Sequence, residues 1–171
     1  MIIFGVDPGS RKTGYGVISA QANHFSCLGY GGIVAATRRP TPLPQRLKTI
    51  YGELKVLLRQ HVPAAVVVEE VFHAVNVQTA LKLGQARGVV LLAAAEMGVP
   101  LFEYSPLEVK KAVVGYGRAE KSQVQLMVQV LLKLKKPPEP HDAADALAIA
   151  LCHAFNGSPA QRSRRPGSSL R

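Results

Sequence analysis

Short apolar runs separated by turn-forming residues open the chain and predict β-strands. We predict a buried strand from Ile2 to Val6, a second strand from Gly14 to Ser19 and a third from Ser26 to Val34. Residues 7–13, which hold an acid, a Pro-Gly pair and two basic residues, are predicted to form the first turn. Because the connecting segments are too short for a crossover, the three strands should form an antiparallel meander.

Prolines at alternate positions follow the meander and predict a change of structure. Three of them lie between Ala36 and Gln45, and proline inside a helix removes a hydrogen bond and clashes with the preceding turn. We therefore predict an extended surface loop over this segment. From Arg46 to His61 apolar residues follow helical spacing, and Pro63 marks the end of that helix.

The rest of the chain alternates between strand and helix patterns. A β-branched run from Ala64 to Val68 predicts a buried strand with two acids, Glu69 and Glu70, at its end. The other predicted elements are a helix from Asn76 to Met97, a strand from Leu101 to Tyr104, and helices from Leu107 to Val114, Lys121 to Lys135 and Asp142 to Phe155. Strands first and an alternation afterwards predict a mixed α/β sheet flanked by helices.

Chain length and composition favour one domain followed by a tail. The chain has 171 residues, of which 47% are hydrophobic, and this suits a single compact core. We predict that residues 1–155 form that domain. Residues 156–171 contain four arginines and no acid among Gly, Pro and Ser, a composition typical of a disordered basic tail.

The charge balance favours a polyanionic partner. Lysine and arginine number 21 against 11 acids, giving a formal net charge of +10. Nucleic acid is the first expectation and an acidic membrane surface the second, while a general contribution to solubility is the simplest alternative.

Cysteine content and hydropathy exclude several classes of protein. Cys27 and Cys152 are distant and lack metal-site spacing, so neither a disulfide framework nor a zinc cluster is indicated. The longest apolar stretch, Val89 to Ala95, is too short to span a bilayer, which takes roughly 20 residues. We therefore expect a cytoplasmic protein without a membrane segment.

Acidic residues lie at three places where packing alone would not favour them. Asp7 ends the first strand, Glu69 and Glu70 end the central one, and Asp142 and Asp145 share one face of the last helix. Each has an ordinary alternative: a turn acid, a solvated strand end, or a helix cap. If adjacent strands bring the acids together, they would repel one another unless a cation such as Mg²⁺ neutralised them.

Seven segments of the chain, taken in order, resemble a known family. They are GVDPGSRKTGYGVI, VEEVF with a following Asn76, ALKLGQARG, FEYSP, VKKAVVGYG, AEKSQV and DAADALAIA. As an ordered set they resemble RuvC, the bacterial crossover junction endodeoxyribonucleases, from about Ile2 to Phe155. The resemblance implies a ribonuclease H-like mixed five-stranded sheet. It also implies a homodimer that makes paired symmetric nicks in four-way Holliday junctions during DNA recombination and repair.

The same resemblance implies a set of functional residues. It places the catalytic and metal-binding acids at Asp7, Glu69, Asp142 and Asp145, and a catalytic lysine at Lys121. It implies Mg²⁺ as the cofactor, two ions per subunit, with Mn²⁺ as a substitute, and the RuvA and RuvB branch-migration proteins as partners. The implied DNA-binding residues are Phe72, Asn76, Lys82, Arg87, Lys110, Lys111, Arg118 and Lys121.

Several of these residues keep an alternative interpretation. Phe72 is either a stacking platform for an unpaired base or a core residue. Lys110 and Lys121 either lie near the scissile phosphate or occupy solvated helix faces. His141, beside Asp142, is either a metal ligand or base, or a residue that only starts the helix.

Three other functions stay open at the level of sequence. A YqgF-like RNA-processing nuclease shares the Asp-Pro-Gly turn. Comparing cleavage of structured RNA with cleavage of four-way DNA would distinguish the two functions. An actin-like phosphotransferase or ATPase also begins with strand, acid, glycine turn and strand, but its further phosphate-binding loops are missing. A noncatalytic junction-binding protein would show no cleavage with Mg²⁺ or Mn²⁺.

Overall fold

The chain folds as a five-stranded sheet with helices on both faces. The structure is a computed structural model that describes residues 1–22, 24–36, 41–70 and 76–156. Its elements within these ranges are β1 (Ile2–Asp7), β2 (Lys12–Gln21), β3 (His24–Val34), α1 (Leu43–His61), β4 (Ala65–Glu69), α2 (Val77–Glu96), β5 (Leu101–Tyr104), α3 (Pro106–Val114), α4 (Lys121–Leu131) and α5 (His141–Asn156).

The strand order is β3-β2-β1-β4-β5, and the sheet is mixed. β1, β2 and β3 form the predicted antiparallel meander, and β4 pairs in parallel with β1 on one side and β5 on the other. Parallel neighbours need a crossover connection. The segment with α1 leads from β3 to β4, which lies beside β1, and α2 connects β4 to β5. The predicted mixed five-stranded sheet is therefore confirmed.

Two hydrophobic cores lie on opposite faces of the sheet, because alternate strand residues point to opposite sides. Ile3 and Val67 belong to the core shared with α3, α4 and α5, whereas Phe4 and Val66 belong to the core shared with α1 and α2. α5 is the most buried helix of the described chain: from residue 146 to residue 153 every position is buried. It is thus a principal packing element of its core as well as the carrier of two candidate acids.

α5 lies unusually close to the sheet because glycines face it. A Cβ atom built at Gly5 of β1 would overlap the carbonyl oxygen of Ala146 and lie 3.0 Å from the backbone nitrogen of Ala150. Such a contact involves backbone atoms, which cannot swing aside as a side chain does. The glycine-rich sequence of β1 and β2 therefore sets the distance between the sheet and α5.

The proline-rich loop ends earlier than predicted, so its predicted extent to Gln45 was wrong. α1 begins at Leu43, with Pro44 in its first turn. The first N–H groups of a helix have no partner inside it, so proline is tolerated there and its fixed φ suits the helix. Residues 37–40, which hold part of the predicted loop, lie outside the described residues.

α4 is shorter than predicted: it ends at Leu131 and not at Lys135. Lys133 adopts a left-handed conformation with φ of 52°, and the N–H of Leu134 bonds the carbonyl of Gln129 at 2.9 Å. In a continuing helix, Leu132 and Leu134 would point to different sides. The left-handed turn lets both pack against the core that contains α5.

The described residues contain no helix that is both long and apolar enough to cross a membrane. Residues 157–171, which hold most of the predicted basic tail, lie outside the described residues.

Candidate active site

The ends of two parallel strands bring Asp7 and Glu69 together. β1 and β4 are neighbours, and Val6 is paired with Val68 in their register. Asp7 and Glu69 are the next residues of the two strands, and both are partly buried. Because carboxyl ends of parallel strands meet at one edge of a sheet, the two carboxylates lie side by side there.

The start of α5 brings two more acids to the same edge. Gly14 of β2 is the cross-strand partner of Asp7, and the backbone of Asp142 rests directly on Gly14. Asp145 follows one turn later on the same face of α5. The helix therefore places both carboxylates above the end of β1.

The pKa of Asp7 reflects its burial and the other three acids nearby. Burial is the largest cause of the raised pKa of Asp7, which reaches about 7 from an ordinary 3.8. The negative charges of Asp145, Glu69 and Asp142 raise it further, and Lys121 lowers it. Burial and the charge of Asp145 also raise the pKa of Glu69. The ionised forms of these carboxylates are thus disfavoured at this edge unless a cation binds there.

Two lysines already supply part of that positive charge. The Nζ atom of Lys121, the first residue of α4, lies 3.3 Å from Oδ2 of Asp145. The Nζ atom of Lys12, at the start of β2, lies 3.3 Å from Oδ2 of Asp142. Chiefly through Asp145, the surrounding carboxylates raise the pKa of Lys121, so its ammonium stays charged.

Lys12 is a residue that the sequence analysis missed. It was placed in the turn, because β2 was predicted to begin at Gly14, whereas the strand begins two residues earlier. Strand alternation would have indicated it, since Lys12 and Gly14 lie on the same face, the one that α5 covers. Its position beside Asp142 depends on a contact distant in sequence.

The donor chemistry of this edge fits a hard divalent cation. Carboxylate oxygens are the ligands that Mg²⁺ prefers, and the raised pKa of Asp7 shows that the acids need positive charge. Among the described residues, however, no three His, Cys, Asp or Glu side chains form a ready coordination shell for one ion. Asp142 and Asp145 each have a carboxylate oxygen 3.3 Å from a lysine ammonium.

A cavity of 190 Å³ opens beside the acids. Its lining combines two carboxylates, two lysines and an apolar wall, and comprises Glu69, Pro106, Val109, Lys110, Lys121, Val124, Asp145 and Ala148. Lys110 also lowers the pKa of Glu69. Lys110 and Lys121 thus both line the cavity beside these acids, and their place near a scissile phosphate stays a prediction.

The other predicted DNA-binding residues differ in their surroundings. Lys82, Lys111 and Arg118 are exposed. Asn76 caps α2, its side chain accepting a hydrogen bond from the N–H of Thr79 at 2.9 Å. Arg87 pairs with Glu103 and its side chain is only 17% exposed, which gives it a structural role; its contact with DNA stays a prediction.

Of two further predicted residues, the structure describes only His141. Phe72 falls outside the described residues, so its role as a stacking platform stays a prediction. His141 is the exposed first residue of α5 and borders a second, open cavity of 500 Å³. The other residues lining this cavity are Lys12, Glu139, Pro140 and Asp142.

Comparison with known proteins assigns the same family to nearly the whole described chain. Residues 3–153 match the sequence profile described as RuvC, crossover junction endodeoxyribonuclease. A relative from Alkaliphilus oremlandii with the name crossover junction endodeoxyribonuclease RuvC is 52% identical over 92% of this chain and 95% of its own length.

Solved structures agree with the sequence comparison. The structure of Thermus thermophilus RuvC superimposes with a TM-score of 0.83 at 39% identity, covering 92% of this chain and 95% of that one. The T. thermophilus RuvC in complex with a Holliday junction substrate superimposes with a TM-score of 0.82 at 37% identity and the same coverage. The ribonuclease H-like fold that the sequence implied is confirmed by this match.

Proposed function

The chain belongs to the RuvC family of crossover junction endodeoxyribonucleases, and from that premise we propose how its own residues resolve a Holliday junction. The observation that carries this proposal is geometric: Asp7 and Glu69 end adjacent parallel strands, and the start of α5, with Asp142 and Asp145, packs against the same edge. We infer that each subunit nicks one of two strands of like polarity, leaving a 5′-phosphate and a 3′-hydroxyl.

Asp7, Glu69, Asp142 and Asp145 are the residues that would hold the metal. Nuclease activity in this family is expected to depend on divalent metal; we propose Mg²⁺, two ions per subunit, with Mn²⁺ as a substitute. Bound divalent ions supply an activated water and stabilise the leaving oxygen of a phosphodiester. The protein contributes a partly buried, carboxylate-rich edge at which cations are favoured and anions are not.

Lys121 is proposed to stabilise the charge that develops on the scissile phosphate. Its side chain is 78% exposed although its ammonium contacts Asp145, so a phosphate has access to it. Its raised pKa keeps it protonated at neutral pH. Lys110 lines the same cavity and would add a second cation to the phosphate-facing side.

DNA contacts around the cut site are assigned to exposed basic residues. Lys111, Arg118 and Lys82 are exposed on or next to helices, and the net charge of +10 favours the approach of DNA. We propose that they contact backbone phosphates, which position the substrate without reading its sequence. Phe72 completes the proposal as a base-stacking residue.

A homodimer is proposed because paired nicks need two sites. A twofold dimer would present two identical acidic edges to a junction with matching symmetry. The first half of α2 supports this: Val77 and Leu81 are 75% and 62% exposed and lie one turn apart on one face. We assign this apolar face to a second copy of the chain.

RuvA, RuvB and a cytoplasmic location stay predictions from the sequence.

The test is cleavage of a synthetic mobile four-way junction with and without Mg²⁺, with products mapped at nucleotide resolution. We expect symmetric nicks with Mg²⁺ that disappear with Asp7→Asn while junction binding persists. Cleavage at a normal rate by Asp7→Asn would contradict the assigned residues. Binding without cleavage by the wild-type protein in Mg²⁺ and Mn²⁺ would indicate a noncatalytic junction-binding protein.

A further inference from the structure

Two carboxylates of α5 are each bound by a lysine from a different element. Lys121 of α4 reaches Asp145, and Lys12 of β2 reaches Asp142, both with an N–O distance of 3.3 Å. Of these two lysines, only Lys121 has a phosphate-facing role in the function proposed above. Lys12 has no assigned function, although it contacts a carboxylate of the same acidic edge.

Two facing glycines leave room for the side chain of Lys12. Gly14 and Gly32 are cross-strand partners, so neither strand has a side chain at that point. A Cβ atom at Gly32 would lie 2.6 Å from Cε of Lys12 and 3.5 Å from Cγ of Pro140. The lysine stem therefore runs over Gly32, where no side chain occupies the space, and its ammonium ends at Asp142.

This ion pair differs from an ordinary surface pair in its surroundings. Lys12 and Asp142 have side chains that are 35% and 38% exposed, and such pairs usually add little to stability. Asp142, however, packs against Gly14, the cross-strand partner of Asp7, and shares a helix face with Asp145, so it belongs to a group of mutually repelling carboxylates. An ammonium on Asp142 reduces that repulsion and so removes part of the reason to bind a divalent cation.

We propose that Lys12 pairs with the Asp142 carboxylate and competes with divalent cations for it. The inference rests on the proposed function, in which Asp142 is a metal ligand. It adds that the metal affinity of the site is set partly by a lysine of β2. Loss of the ammonium should therefore make divalent binding tighter, which is the opposite of what loss of a carboxylate does.

The experiment is calorimetric titration of the full-length, metal-free protein with Mn²⁺ in the absence of DNA. We expect Lys12→Met to lower the Kd for Mn²⁺ about two- to fivefold, the range of an exposed ion pair. Lys12→Arg, which keeps the charge, should stay within about twofold of wild type. Lys12→Gln is the second neutral variant in case Lys12→Met folds poorly.

Two controls separate the ion pair from a general effect of charge. Lys48→Met removes the same charge from an exposed position of α1, the helix on the opposite face of the sheet, and should leave the Kd unchanged. Lys12→Met added to Asp142→Asn should have no effect beyond that of Asp142→Asn, because the partner is gone.

The outcomes distinguish this inference from the proposed function. An unchanged Kd for both neutral variants, or equal tightening in the Asp142→Asn background, would overturn the role of Lys12. If Asp7→Asn and Asp142→Asn bind Mn²⁺ as tightly as wild type, the proposed metal site itself is wrong. Tighter binding that requires Asp142 supports both.

Discussion

The backbone of Asp142 rests on Gly14, and the contact is so close that no side chain fits between them. A Cβ atom at Gly14 would overlap the Asp142 carbonyl and lie 2.8 Å from the Asp142 Cβ. Gly14 is also the cross-strand partner of Asp7. This single contact therefore links the strand pair that positions Asp7 to the helix start that positions Asp142.

We expect Gly14→Ala to displace the start of α5 and to abolish or strongly reduce cleavage. Overpacking of this kind costs about 1–3 kcal/mol, so thermal unfolding should also occur at a lower temperature. Gly52→Ala in α1 is the matched control, because a Cβ there meets nothing within 4 Å and alanine favours a helix by about 0.5–1 kcal/mol. Normal cleavage by Gly14→Ala would contradict the proposed geometry.

Removal of the Asp7 carboxylate should stabilise the metal-free protein at neutral pH. The pKa of Asp7 is about 7 when folded and 3.8 as its ordinary value, so the folded state binds more protons between these pH values. Stability therefore falls as pH rises from about 4 to 7, and the cost is fully present above that window. Asp7→Asn lacks this cost.

Thermal unfolding in a chelator measures this effect. We expect Asp7→Asn to exceed wild type by about 1–4 kcal/mol near pH 8 and by much less near pH 4. Added Mg²⁺ should raise the melting temperature of wild type more than that of the variant. An equal difference at both pH values would show that the gain does not come from the ionised carboxylate.

Lys121→Met should slow cleavage far more than it weakens junction binding. In the proposed function the lysine faces the developing charge, and loss of one such donor costs about 10²- to 10³-fold in rate, whereas one phosphate contact contributes little to total affinity. Single-turnover cleavage and equilibrium binding separate the two quantities. Lys135→Met, an exposed position beyond the end of α4, is the charge-matched control. Equal loss of rate in both variants would remove the specific role of Lys121.

Leu81→Lys should convert the proposed dimer into monomers. Leu81 is 62% exposed on the apolar side of α2, and a charge there would be buried against the second copy. Sedimentation velocity measures the oligomeric state, and junction mapping should show uncoupled single nicks. Val56→Lys on α1, which is 57% exposed, is the control expected to remain dimeric. A dimeric Leu81→Lys protein would place the interface elsewhere.

Local patterns predicted most of the secondary structure and the acids. β5 has the predicted bounds, and the carboxylates of Asp7 and Glu69 adjoin because β1 and β4 are parallel neighbours. The errors arose where tertiary structure decides. Pro44 is tolerated because it occupies a first turn, and Lys133 turns left-handed so that two leucines reach one core.

Lys12 shows a different limit of sequence reasoning. The predicted start of β2 differs from the observed start by only two residues, which moves Lys12 from a turn into a strand. Its proposed function, however, depends on α5 lying across β2. α5 can lie across β2 because glycines occupy that face of the sheet. In the sequence alone, the same glycines indicate turns. A strand with glycines at alternate positions is therefore a sequence signal of a helix packed closely above it.

The burial of α5 bears on how this enzyme tolerates mutation. Two of its carboxylates lie on a helix whose residues 146–153 are all buried, so most substitutions in that stretch would cause loss of soluble protein before any catalytic effect became measurable. Random mutagenesis screened by activity alone would thus confuse chemistry with folding in this segment. Lys12 and Lys121 are partly or largely exposed, so substitutions there should leave folding intact. They are therefore the first positions to vary when the metal response of an engineered resolvase is to be changed.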